Sequence, residues 1–257
     1  MKKQGKIIGS VQRALDILDL YDQRHIELGI TEIGRALDLA KSTAAGLIST
    51  LEVNGYLQQN PETRKYRLGY KLAERSGIYL AQFELRQIAT PVLEELRDEC
   101  NESVNLGIRD EDHIIYIERL HGMNMLGMRS EIGKREKIHS TALGKAILSS
   151  LPGKEVDAFI NSHEFLPVTP HTITEPEAFK LDLERTQERG FAIDNQENEL
   201  GGRCVAAPIF DFRGAPIAAV SVSVPIQRMP ESEVPLFGMR VREAADEISR
   251  MLGAANG

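Results

Sequence analysis

The stretch ITEIGRALDLAKSTAAGLISTLEVNG, residues 30–55, restricts the fold more than any other part of the chain. Two apolar-periodic segments sit there with only a tight link, LDLA, between them. The first predicts a short helix from Thr31, with Ile33, Ala36 and Leu37 apolar, and the second predicts a helix from Ser42 that stops at Gly55. Two short helices joined by so few residues form a helix-turn-helix. Ahead of them, Ser10 is placed to cap a further helix, VQRALDILDLY, whose Val11, Ala14, Leu15, Leu18 and Tyr21 share one face. Behind them, GYLQQNPETRKYRLGYKL predicts strand, turn and strand, with Asn60-Pro61-Glu62-Thr63 as the turn and Tyr66 and Leu68 alternating with Arg67. That hairpin is a wing.

The third helix is informative in what it presents. Lys41, Ser42 and Thr43 crowd its start, where free N–H groups and small hydroxyls can meet phosphates and base edges. Ala44, Ala45 and Gly46 form a run of small residues that would let the helix seat in a DNA major groove, about 12 Å wide. Leu47, Ile48 and Leu51 supply its inward face. Arg64 and Lys65, at the wing tip, would lie beside the DNA backbone. A plain three-helix bundle with a solvated charged turn is the competing reading.

Charge agrees with the first of these. The 257-residue chain carries a net charge of -7, yet residues 1–71 hold 11 Lys and Arg against 8 Asp and Glu, so the acidity lies in the remainder. A small polyanion-binding head on a larger acidic body has this asymmetry. The length suits two domains. No apolar run approaches the roughly 18 residues of a membrane helix, and MKKQGKIIGS lacks the apolar region of a signal peptide, so a cytoplasmic protein is expected. Cys100 and Cys204 have no CxxC spacing, and His113, His121, His163 and His171 show neither HxxxH nor HExxH, so no cofactor and no metal is expected.

From Lys71 to Cys100 the pattern is mostly helical, with Pro91 marking a start or a kink. ESVNLGIRDEDHIIYIERL then reads as a β-hairpin around RDEDH, and Met125 to Met128 suggests a further strand. Ser140 and Thr141 can cap the helix ALGKAILSSL, and Thr174-x-x-Glu177 signals another helix ending at Gly190. RCVAAPIFD and PIAAVSVSV are strands joined by FRGA, and a final helix runs over roughly 233–252. Strands in one antiparallel sheet flanked by helices make an α+β body.

FAIDNQENELGGRCVAAPIFD, residues 191–211, sets Asp194, Glu197 and Glu199 upstream of Cys204, the order of an acid and a nucleophile. A catalytic cysteine needs a lowered pKa, whereas neighbouring carboxylates favour the neutral thiol. Glu197 and Glu199 read as a solvated loop, and His139 as a brace for the helix that follows it. In VSVSV, Ser221 and Ser223 face away from Val220, Val222 and Val224, and buried hydroxyls there would need polar partners.

SVQRALDIL, the block ITEIGRALDLAKSTAAGLISTLEVNGYL and the RKYRLG wing end resemble the DNA-binding domain of the IclR family of bacterial transcriptional regulators. HSTALGKAIL, RGFAIDNQENELGGRCVAAPIFD and IAAVSVSVP resemble the same family's effector-binding domain. The resemblance implies an α+β, two-domain protein: a winged helix-turn-helix over 7–70, a linker helix over 71–84, and a GAF-like antiparallel sheet flanked by helices over 85–255. It also implies a pocket lined by Asp194, Cys204, Ser221 and Ser223, joined by the helix start at Ala142 and Leu143. Met125, Met128 and Leu143 would close an apolar wall, and hydroxyls, thiol and N–H groups would hold an oxyanion. Leu143 stands where members that bind very small acids can carry smaller residues, which implies a different pocket shape. The function implied is a regulator of a catabolic operon, a repressor in the first instance, that binds double-stranded operator DNA as a homodimer or a tetramer and senses a small organic acid or related metabolite. The competing classes are a GAF-type small-molecule or redox sensor with no DNA role, and a cysteine hydrolase.

Overall fold

The computed structural model describes residues 7–22, 24–81, 84–122 and 131–254. The chain divides into two compact units, Met1–Gln82 and Phe83–Gly257.

The first unit contains α1 (Gly9–Asp19), α2 (Ile30–Ala36), α3 (Lys41–Val53), the antiparallel pair β1 (Leu57–Gln59) and β2 (Tyr66–Leu68), and α4 (Tyr70–Ala81). Ile17, Ile33, Ala44, Ile48, Leu57 and Tyr66 form its core. α1 begins at Gly9 with the non-helical Ile8 as its N-cap, so Ser10 lies within the first turn and does not cap it. Ile17 is the fully buried residue of α1, and Leu18 and Tyr21 of the expected face pack against the same core, but Val11 and Leu15 are more than half exposed. α2 is capped by a carboxylate: the Gly29 N–H donates to Glu32 Oε2 at 2.6 Å. The expected Gly55 stop holds, with φ +78, a left-handed conformation that glycine adopts at no steric cost. The chain then returns close by, since a Cβ on Gly69 would stand 2.1 Å from the Gly55 carbonyl oxygen.

The second unit opens with α5 (Glu84–Cys100), which runs through Pro91. It continues with β3 (Ser103–Asp110), β4 (His113–Leu120), β5 (Arg135–Lys137), α6 (Ala142–Ser149), α7 (Gly153–Ser162), α8 (Pro176–Arg189), β6 (Ala192–Asn195), β7 (Gly202–Phe210), β8 (Pro216–Pro225) and α9 (Val234–Met251). Six strands form one antiparallel sheet in the order β5-β4-β3-β8-β7-β6. α9 packs on α5 and against β7 and β8, while α6 lies over β6, β7 and β8. The β3–β4 hairpin turns at Glu111-Asp112, with Glu111 at φ +56, as the RDEDH pattern predicts. α8 starts one residue later than the capping pattern suggests: Glu175 is the N-cap with no side-chain bond, and Pro176 fills the first turn, where its missing N–H costs nothing. The suggested strand at Met125 to Met128 lies outside the described residues, and so does Met128 as a candidate pocket residue. Among the described residues no helix is long and apolar enough to cross a membrane.

Candidate functional site

Strand register builds the pocket. β6, β7 and β8 pair so that Asp194 stands opposite Cys204 and Cys204 opposite Ser223. Directly opposed residues of a sheet share a face, so these three side chains form one row. Ser221 stands one pleat further along the same face, opposite Ala206. Val220, Val222 and Val224 take the other face and are fully buried, as the VSVSV alternation requires. The two hydroxyls find the partner that burial demands: Asn105 on β3 donates from Nδ2 to Ser223 Oγ at 3.0 Å and to Ser221 Oγ at 3.3 Å.

α6 closes the pocket from above. Thr141 caps it, accepting from the Gly144 N–H at 3.1 Å, so Ala142 and Leu143 belong to a first turn whose amides have no intrahelical acceptor. Gly144 permits the close seat, because a Cβ there would stand 1.9 Å from the Ile138 carbonyl oxygen. The resulting cavity has an empty volume of about 380 Å³ including its mouth. Six of the expected residues line it: Ala142, Leu143, Asp194, Cys204, Ser221 and Ser223. Tyr116, Glu136, Thr141, Asn198 and Glu199 line it as well. Of these, Tyr116 and Glu136 lie on strands far away in sequence, and only the alternation of HIIYIERL hinted that Tyr116 shares a face.

Glu197 is not the solvated loop residue expected. It is buried, and its Oε1 accepts from the fully buried Lys145 ammonium at 2.6 Å. Lys145 also pairs with Asp182 of α8 at 2.9 Å. Glu199 is exposed, as expected, but stands on the pocket rim. Asp194 Oδ1 accepts from the N–H groups of Glu197, at 2.7 Å, and Asn198, at 3.3 Å. Burial, and then the Glu197 charge, push the Asp194 carboxyl up to about 7 against the pull of Lys145 and the two N–H groups.

Cys204 does not have the environment of a nucleophile. Burial and the facing Asp194 raise its pKa well above the ordinary thiol value. His139 is fully buried and is not among the residues that line the pocket. Its Nε2–H donates to the Leu166 carbonyl at 3.0 Å, which leaves Nδ1 to accept from His163 Nε2–H at 2.7 Å. Burial keeps both imidazoles neutral by lowering their pKa values, that of His163 to about 4 with a further push from His139. Among the described residues no group of His, Cys, Asp and Glu is disposed to hold a metal ion.

On the first unit, Lys41, Ser42, Thr43 and Gly46 are exposed on α3. Ala44 is not: it is fully buried, and a Cβ on Gly34 would meet its methyl at 3.7 Å. Its smallness serves the α2–α3 crossing, so Ala44 is withdrawn from the DNA-facing set. Arg64 and Lys65 are on the wing, where the Arg64 N–H donates to the Asn60 carbonyl at 2.9 Å and Arg64 has φ +59. Lys65 leans back to Glu32, Nζ to Oε1 at 3.0 Å, tying the wing to the α2 cap.

Comparison with known proteins covers both units. Residues 10–61 match the IclR helix-turn-helix domain, and residues 77–250 match the C-terminal domain of the bacterial transcriptional regulator IclR. The chain is 39% identical over 247 residues to the HTH-type transcriptional regulator XynR of Escherichia coli (strain K12), covering 96% of this chain and 98% of that one. Among solved structures it is similar to the IclR of Thermotoga maritima, with TM-score 0.82, 34% identity and coverage of 95% and 99%. It is also similar to an IclR homolog from Microbacterium hydrocarbonoxydans complexed with 4-hydroxybenzoate, with TM-score 0.81, 26% identity and coverage of 96% and 100%.

Proposed function

From a chain that belongs to the IclR family of bacterial transcriptional regulators, we propose a cytoplasmic repressor of a catabolic operon whose hold on operator DNA is set by a small organic acid in the second unit. The observation that carries this reading is the row Asp194, Cys204, Ser223 beneath the first turn of α6, a polar floor meeting helix amides in one open-mouthed cavity. The complex of a similar regulator with 4-hydroxybenzoate supports an organic acid as the effector.

The exposed Lys41, Ser42, Thr43 and Gly46 form the proposed reading face, with Arg64 and Lys65 on the backbone beside it. One such head reads a short half-site, so a homodimer, or a dimer of dimers, on a near-palindrome follows. The effector acts by binding the DNA-releasing arrangement more tightly than the DNA-holding one. Catalysis by Cys204 finds no support in its neutral, buried thiol.

The test is fluorescence anisotropy of the full chain on DNA from its own upstream region, with salt varied and a panel of organic acids added. Specific, salt-sensitive binding that one acid weakens is the expected result. Absence of any specific DNA would overturn the reading.

A further inference from the structure

The pocket presents an apparent contradiction. An organic acid is an anion, yet three carboxyl groups, Glu136, Asp194 and Glu199, stand in the lining. The cation that reaches toward Asp194, Lys145, is already engaged by Glu197 at 2.6 Å and by Asp182 at 2.9 Å. Two like charges brought together in a low-dielectric site cost several kcal/mol unless one is neutralised.

We propose that Asp194 enters the complex as the neutral acid and donates its proton to an effector carboxylate, so that the pocket reads the charge of its ligand through one proton. This rests on the reading of the cavity as an acid sensor. The hydrogen bonds at Asp194 have the asymmetry that the role needs. Both backbone N–H groups reach Oδ1 and by themselves favour the carboxylate, an effect that burial and the Glu197 charge outweigh. Oδ2 accepts neither of them, and it is the oxygen on which a proton is retained and from which it can be given to a ligand. An acid-to-carboxylate hydrogen bond is of the short, charge-assisted kind.

The groups around Asp194 come from every neighbouring element. Cys204 on β7 is a neutral thiol, and Tyr116 on β4 is a neutral phenol whose pKa burial and Glu136 hold well above the ordinary value. Glu197 and Glu199 follow on its own loop, Glu136 lies on β5, and Arg119 on β4 acts on Tyr116 and Glu199. Lys145 on α6, joined to Asp182 of α8, lies behind Glu197. Lys145 bonds Glu197 at contact distance and pulls its carboxyl back against the rise that burial imposes. No cation bonds Asp194 directly among the described residues; it faces the neutral Cys204 thiol, and burial and the Glu197 charge both favour its protonated form. Its carboxyl is poised near 7, where a ligand can draw it fully to the protonated form. Above that pH, binding takes one proton from solvent.

The experiment uses the full chain labelled with 13C at aspartate carboxyl carbons, together with calorimetric titrations of sodium acetate, gluconate and 4-hydroxybenzoate as probes between about pH 6 and 8.5. The resonance that Asp194→Asn removes is expected to titrate near 7, and titration in the ordinary carboxylate range would overturn the proposal. The affinity of the acid that binds is expected to fall about tenfold per pH unit above 7, with uptake of about one proton seen in buffers of different ionisation enthalpy. Asp194→Asn keeps the acceptor oxygen and a fixed donor, so its affinity is expected to be flat over the same range. A wild-type affinity independent of pH overturns the proposal and leaves the acid-sensor reading standing; failure of all three acids to bind overturns both.

Discussion

Lys145 Nζ lies 2.6 Å from Glu197 Oε1 in the interior of the second unit, and 2.9 Å from Asp182 on its other side. α6 therefore carries a pocket wall on its first turn and a buried ion-pair hub on its second. The loop that follows Asp194 is fastened to the same helix that would contact a ligand, and Thr172 reinforces it by donating from Oγ1 to the Glu197 carbonyl at 2.7 Å.

Removing the ammonium leaves the buried Glu197 carboxylate and the half-buried Asp182 carboxylate without their cation. Lys145→Met is expected to cost about 3–5 kcal/mol in urea denaturation, the cost of an uncompensated buried charge. Pairing it with Glu197→Gln should recover part of that loss. A loss below about 1 kcal/mol for Lys145→Met alone would show that the hub is hydrated.

Asp194 ties stability to pH with a definite sign. Folding raises its pKa from 3.8 to about 7, so the unfolded chain releases this proton first. The contribution is whole below the unfolded value, declines as pH rises, and is gone above about 7. Asp194→Asn cannot ionise, and its stability relative to the wild type is expected to rise across that window by a few kcal/mol, about 1.4 per pH unit. Denaturant midpoints measured between about pH 4.5 and 8 check this; a relative stability that falls with pH would refute it.

Ala44 and Gly46 separate core from surface on one helix. A Cβ on Gly46 meets nothing within 4 Å, so Gly46→Ala is expected to stabilise the first unit by about 0.5–1 kcal/mol through helix propensity while weakening operator binding. Ala44→Leu overfills the α2–α3 crossing and is expected to destabilise by about 1–3 kcal/mol. Thermal melts and anisotropy on the same preparations distinguish the two; unchanged operator affinity in Gly46→Ala would take that face off the DNA.

Cys204 is expected to resist iodoacetamide near pH 8, reacting at least about tenfold more slowly than in the urea-unfolded chain, because the thiolate is the nucleophile and burial suppresses it. Mass-spectrometric quantification of the modified peptide gives the rate. Fast modification of the folded protein would reopen the catalytic reading.

Much of this molecule was legible in one dimension because its signals are local. Turn chemistry, helical periodicity and strand alternation depend on residues within a few positions of one another, and the head helices, the hairpin at RDEDH and the two faces of VSVSV follow from them. Family resemblance carried the pocket residues further than periodicity did, since nothing local links Asp194 to Ser223. The misjudged residues are those whose role depends on a distant partner. Glu197 looked solvated because its cation, Lys145, comes from another element. Ala44 looked like part of a groove-facing run because Gly34 is ten positions away. Val11 and Leu15 have the spacing of a buried face that the head does not cover.

The sequence by itself determined most of the helices and strands, though not α7 or β5, that the chain has a basic head and an acidic body, and the family to which both belong, since each of these is written in short-range pattern or in motif order. Only the tertiary structure decided what the polar residues do. Sheet register set Asp194, Cys204 and Ser223 in one row, α6 covered them, and burial raised the pKa values of the Asp194 carboxyl and the Cys204 thiol, because the cost of a charge depends on the groups that surround it in space and not on its neighbours along the chain.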